Sequence, residues 1–99
     1  MNKVIKVNEL ADFDPAEHLQ DKEDIAAYLS AVLEEGNADE LAHALGVIAR
    51  ARGMTEIAQQ AGITREALYK ALRHHSSPRL DTISKVCKAL GFRLTVIAA

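Results

Sequence analysis

The sequence predicts a mainly α-helical bundle of about five helices, built around a helix-turn-helix and closed by a short C-terminal β-strand. Three observations carry this. Apolar residues recur at helical spacing through most of the chain. The stretch from Met54 to Arg73, MTEIAQQAGITREALYKALR, reads as two short helices about a tight turn. The final residues switch to strict alternation, which is a strand signal.

The central pair sets the frame. Ile57, Ala58 and Ala61 form the inward stripe of its first helix, and Leu68, Ala71 and Leu72 that of its second. Ala58 is small where two helices must approach closely. Gly62 stands where the chain must turn, and a positive φ is cheap only for glycine. Ile63 plugs the gap and Thr64 caps the second helix. Arg65, Tyr69, Lys70 and Arg73 project from the face opposite Leu68 and Leu72, with only Glu66 opposing them in sign. A basic outer face on a short helix is what phosphate and base contacts need.

The other elements follow in order. Residues 3–7, KVIKV, have strand character, and Asp14-Pro15 looks like the start of a short turn reaching Leu19. Asp21 opens the first substantial helix, with Glu23 and Asp24 at its positive end. Ile25, Leu29, Val32 and Leu33 line its buried face and Tyr28 adds to it, until Gly36 stops it. Asn37 and Glu40 form a capping box, and Leu41, Ala44, Leu45, Ile48 and Ala49 make the next buried stripe, up to Gly53. After Arg73, the polar loop His74-His75-Ser76-Ser77-Pro78 ends the second helix of the pair. Leu80 to Leu90 is the last helix, with Ile83, Val86, Cys87 and Leu90 inward, and Gly91 stops it. Phe92, Leu94 and Val96 then share one strand face. That strand can pair with residues 3–7, with its mate in a dimer, or with a partner protein; the mate in a dimer is the expectation. Three segments result: an acidic extension over 1–36, the helix-turn-helix domain over 37–91 and the strand over 92–99.

Composition narrows the function classes. The net charge of −2 is small, but its distribution is not: residues 1–50 hold eleven acids against four bases, and residues 51–99 hold eight bases against three acids. Two surfaces with different partners are expected. The N-terminus lacks the apolar core of a secretion signal and no run of about 18 apolar residues exists, so no membrane association is expected. A single cysteine, Cys87, cannot staple the chain, and a cytoplasmic location is expected. The four histidines are scattered and no P-loop, paired CxxC or nucleophile elbow occurs, so no catalytic residue, metal or cofactor is expected.

The segment ARGMTEIAQQAGITREALYKALRHHSSPRLDTISKVCKALGF resembles the λ repressor-like, Cro/C1-type helix-turn-helix domain. Its threonine, apolar-Ala, Gly and Thr-Arg spacing matches, as does Pro-x-Leu-x-Thr leading to Lys-Ala-Leu-Gly. Nearly the whole chain is similar to HigA-like addiction-module antidote proteins, through an acidic FDPAE lead (Phe13 to Glu17), a DIAAYL segment (Asp24 to Leu29), an IARARGM junction (Ile48 to Met54) and a REALYKAL helix. The resemblance implies an antitoxin that binds a RelE/ParE-like toxin and represses its own operon on double-stranded operator DNA. It places Thr64, Arg65, Glu66, Tyr69 and Lys70 on the DNA-reading helix and Thr55 at the start of the supporting one. Arg79 departs from the family pattern, where serine often caps the last helix; Ser77 is one alternative cap, and a phosphate contact is one alternative role for Arg79.

Roles for these residues follow from their chemistry. Thr55 and Thr64 sit at helix N-termini suited to phosphate, and Thr64 also reads as a plain cap. Arg65 suits a guanine edge or a phosphate. Glu66 suits a cytosine amino group or simply the helix N-terminus. Tyr69 suits a thymine methyl or a phosphate, with burial against the following loop as the competing reading. Lys70 and Arg73 suit the backbone. For a basic toxin, Asp21, Glu23, Asp24, Glu34 and Glu35 offer complementary charge with Tyr28 as an anchor. One short helix reads few base pairs, so a homodimer is expected. A stand-alone Cro/C1-type repressor without a toxin is the rival reading, and a pure interaction module that does not bind DNA is a third.

Overall fold

The computed structural model describes residues 21–73 and 75–99. Five helices run in order: α1 (Lys22–Glu34), α2 (Ala38–Arg52), α3 (Met54–Ala61), α4 (Arg65–Leu72) and α5 (Leu80–Ala89). The strand expected at residues 3–7 and the turn at 15–19 lie outside the described residues.

Local chemistry sets the helix ends. Asp24 N–H donates to Asp21 Oδ1 at 3.1 Å, and Glu40 N–H to Asn37 Oδ1 at 3.1 Å. Each bond satisfies one of the donors orphaned in a first turn. Gly62 ends α3 at φ 73, in the left-handed region. Ile63 N–H donates back to the Ala58 carbonyl at 3.1 Å and Gly62 N–H to that of Gln59 at 3.2 Å, the two bonds of a Schellman stop. The same pair, Phe92 to Cys87 and Gly91 to Lys88, closes α5.

The helices share one core. Central α3 packs against α2, α4 and α5, while α2 also meets α1 and α4. Ile25, Leu45, Ile48, Leu68, Leu72, Val86 and Leu90 are all but sealed from solvent. Met54 joins them, outside the stripes that periodicity predicts. Cys87 is buried, as expected, and burial raises the pKa of its thiol. No described helix is long and apolar enough to cross a membrane.

A close approach governs how α4 is seated. A Cβ built on Gly46 of α2 would lie 3.1 Å from the Leu72 carbonyl oxygen and 2.9 Å from Arg50 Nη1. The arginine tip can swing aside; the backbone at the end of α4 cannot. Gly46→Ala is therefore expected to overpack this crossing by about 1–3 kcal/mol, which exceeds the gain of up to about 1 kcal/mol in helix propensity. A lower urea midpoint with an unchanged slope is the expected readout; a raised midpoint would mean the crossing has slack.

Two expectations need correction. Leu33 is 46% exposed rather than buried. At 100° per residue it stands about 80° round the helix from Ile25, past the edge that α2 covers. The C-terminal strand is also absent: no strand occurs among the described residues. Phe92 and Leu94 pack against the core, but Val96 and Ile97 are 97% and 84% exposed. The alternation is real as far as the domain reaches, yet a strand exists only where another strand completes its ladder.

Candidate nucleic-acid interface

The displayed face belongs to α4. Leu68 and Leu72 fasten the helix to the core, so the remaining turn of side chains is left outward. Thr64 Oγ1 accepts from Ala67 N–H at 3.0 Å, which is the capping role. Arg65, Glu66, Tyr69, Lys70 and Arg73 are all exposed and stand on or at the end of this helix. The structure therefore brings together every residue the sequence placed on it. Ala67 is exposed on the same helix, an addition to the predicted set; its small side chain leaves room for close approach.

Arg65 and Tyr69 form a unit. Arg65 Nη2 donates to the Tyr69 hydroxyl at 3.3 Å, and the guanidinium carbon lies 5.3 Å from the ring centroid. Spacing at i and i+4 puts both on one helix face, and that spacing is the signal by which a sequence reading can find the pair. The hydroxyl bond, first, raises the already high pKa of Arg65; the side chain stays cationic at any pH near neutrality. Tyr69 is 37% exposed, so it is not buried against the following loop.

Thr55 lies in the first turn of α3, exposed, on a helix whose N-cap Gly53 supplies no side-chain bond. The α4–α5 loop is held by three features. Ser76 Oγ donates to the Ala71 carbonyl at 2.6 Å. His75 and Ser77 adopt positive φ, 63° and 46°. His75 Nδ1 reaches Asp39 Oδ2 at 2.8 Å. Ser77 does not cap α5: the N-cap position falls two residues later in the chain. That position is held by Arg79, which makes no side-chain cap bond and sits 3.5 Å from Asp81.

The acidic candidates separate into two sets. Asp21, Glu23 and Asp24 lie at the N-terminal end of α1, and Glu34 and Glu35 at its other end. A helix of 13 residues is about 20 Å long, so the two sets do not form one patch. Tyr28 lies between them, partly buried against the core. Burial, and secondarily the charge of Glu40, raise its pKa.

These features define a small, mainly helical domain that displays a cationic helix on one side and carboxylates along another element. The comparisons with known proteins make the class specific. The profile of a family described as "Probable addiction module antidote protein" matches residues 9–98. An uncharacterized protein of Haemophilus influenzae is 50% identical over 88 residues, which is 89% of this chain and 91% of that one. No solved structure matches significantly. The chain belongs to the addiction module antidote family, and membership implies a toxin partner in general.

Proposed function

We propose that this protein is the DNA-binding antitoxin of a type II toxin–antitoxin module. In this reading α3 and α4 form a Cro/C1-type helix-turn-helix, and the chain represses its own operon while neutralising a RelE/ParE-like toxin by direct binding. It acts in the cytoplasm and has no catalytic role. The observation that carries the DNA half is the exposed basic face of α4, with Arg65, Tyr69, Lys70 and Arg73 turned away from the core that seats the helix. Family membership carries the toxin half.

Roles follow from placement. Arg65 reads a base edge in the major groove and Tyr69 steadies it; Lys70 and Arg73 hold phosphates; Thr55 presents the first turn of α3 to a phosphate. Fluorescence anisotropy with a duplex from the protein's own promoter is the direct test, and no binding at 50 mM salt would refute it. Within that assay, Lys70→Ala should weaken every duplex alike and lower the slope of log K against log salt by about one. A loss confined to one sequence would instead make Lys70 a base reader.

Two copies are needed for useful affinity, so the protein binds a pseudo-palindromic site as a homodimer with its α4 helices about 34 Å apart. Sedimentation should give a dimer at micromolar concentration; a monomer that stays monomeric on DNA would count against it. Co-purification with the product of the adjoining gene separates an antitoxin from a stand-alone repressor. Because Ile25, Leu29 and Val32 belong to the common core, point substitutions rather than removal of residues 1–36 should be used to divide toxin binding from DNA binding.

A further inference from the structure

Two polar tips on the outer face of α4 are drawn together. Residues at i and i+4 stand about 6 Å apart along a helix axis. Here the side chains converge, and Arg65 Nη2 lies 3.3 Å from the Tyr69 hydroxyl oxygen to which it donates. Successive bases on one strand of a duplex are about 3.4 Å apart. The two tips are therefore spaced as two neighbouring base edges are. Both side chains are exposed and neither belongs to the core, so they can meet a groove without disturbing the packing.

The bond between them decides what each tip has left to offer. A guanidinium carries five N–H groups, and giving one to the hydroxyl leaves a parallel two-donor fork. In the major groove guanine presents two adjacent acceptors, N7 and O6; adenine and cytosine present an amino donor, and thymine a single acceptor. The fork fits guanine. The Tyr69 hydroxyl accepts from Arg65 and keeps its own hydrogen to donate. A cation beside it favours a keto oxygen over an amino group at the next base. Its ring, 5.3 Å from the guanidinium carbon and partly open to solvent, is an apolar surface suited to a methyl group. Thymine alone offers both a keto oxygen, O4, and a C5-methyl in that groove.

The alternative target for both tips is a phosphate. Glu66 follows Arg65 in the first turn of α4 and is exposed. Its charge repels a phosphate brought to that turn and leaves a neutral base edge acceptable. Lys70 and Arg73, on the last turn and just beyond it, have no acid beside them in the chain.

We propose that Arg65 and Tyr69 act as one reader of a guanine with thymine as its immediate neighbour on the same strand. Arg65 takes guanine N7 and O6; the Tyr69 hydroxyl donates to thymine O4 while its ring meets the methyl. This rests on the DNA-binding reading and deepens it, making Tyr69 a specificity-determining residue as well as a support for Arg65.

The test is selection by the full chain from a pool of random duplexes, followed by anisotropy on an enriched duplex. A guanine with an adjacent thymine should be enriched. Replacing that thymine by cytosine should weaken binding about tenfold, and replacing it by uracil, which keeps O4 and lacks the methyl, about threefold. Tyr69→Phe should keep the guanine and reduce the cytosine penalty to about threefold, and Tyr69→Ala should remove it. A thymine preference that survives Tyr69→Ala would overturn the proposal. So would an equal loss on every duplex in the Tyr69 variants, which would place the hydroxyl on a phosphate. If the unsubstituted chain enriches no sequence and binds no duplex at 50 mM salt, the DNA-binding reading fails and this one with it. An enriched sequence indifferent to Tyr69 sinks the paired reader alone.

Discussion

Replacing Arg65 by alanine is expected to weaken binding to the promoter duplex by about 1–3 kcal/mol and to relax discrimination at one base pair. The guanidinium stands at the first turn of α4, fully exposed, held by the Tyr69 hydroxyl and lying 5.3 Å from its ring centroid. A held arginine loses less freedom on reaching a guanine than a free one, because part of the ordering is done before the DNA arrives. Tyr69→Phe keeps the ring and removes the hydroxyl, so it should cost only a fraction of that loss. The melting temperature should barely move in either variant, since neither side chain reaches the core. The measurement is anisotropy across duplexes substituted one base pair at a time. A loss spread evenly over all of them, with a salt slope lower by about one, would reassign Arg65 to a phosphate.

Leu68→Ala tests the other side of the same helix. Leu68 is 0% exposed, and with Leu72 it ties α4 to the core. Truncation should cost about 2–5 kcal/mol through lost burial and the cavity left behind. In a domain whose total stability is about 5–15 kcal/mol, that is a melting shift on the order of 10–30 °C. Circular dichroism reads it directly. DNA binding should fall only as the folded fraction falls, so the variant at low temperature keeps its salt slope. A drop of only a few degrees would mean that α4 is fastened elsewhere, and the outward orientation of Arg65 and Tyr69 would need another cause.

How much of this was legible depends on the range of the interactions concerned. The caps at Asp21, Asn37 and Thr64 and the stops at Gly36, Gly53 and Gly62 were all readable, and each works through bonds to residues three to five positions away or through its own φ. The inward stripes of α2 and α3 followed from periodicity for the same reason. The basic face of α4 was legible because eight residues wound about Leu68 and Leu72 leave few other arrangements. The limits were equally physical. Leu33 satisfied the helical period, yet no described helix covers it. The alternation at residues 92–97 was a true pattern without a ladder among the described residues. The Gly46–Leu72 approach and the His75–Asp39 contact join residues 26 and 36 positions apart, and no local rule reports on such pairs.

The order of residues along the chain was enough to set where each described helix begins and ends and which side chains α4 turns outward, because hydrogen bonds and periodicities that close within a few residues govern both. It took the packed molecule to leave Leu33 open to solvent, to bring Gly46 against the end of α4 and to leave residues 92–97 without a strand partner among the described residues. Those outcomes depend on which surfaces other elements cover, and coverage belongs to the assembled fold rather than to any segment of it.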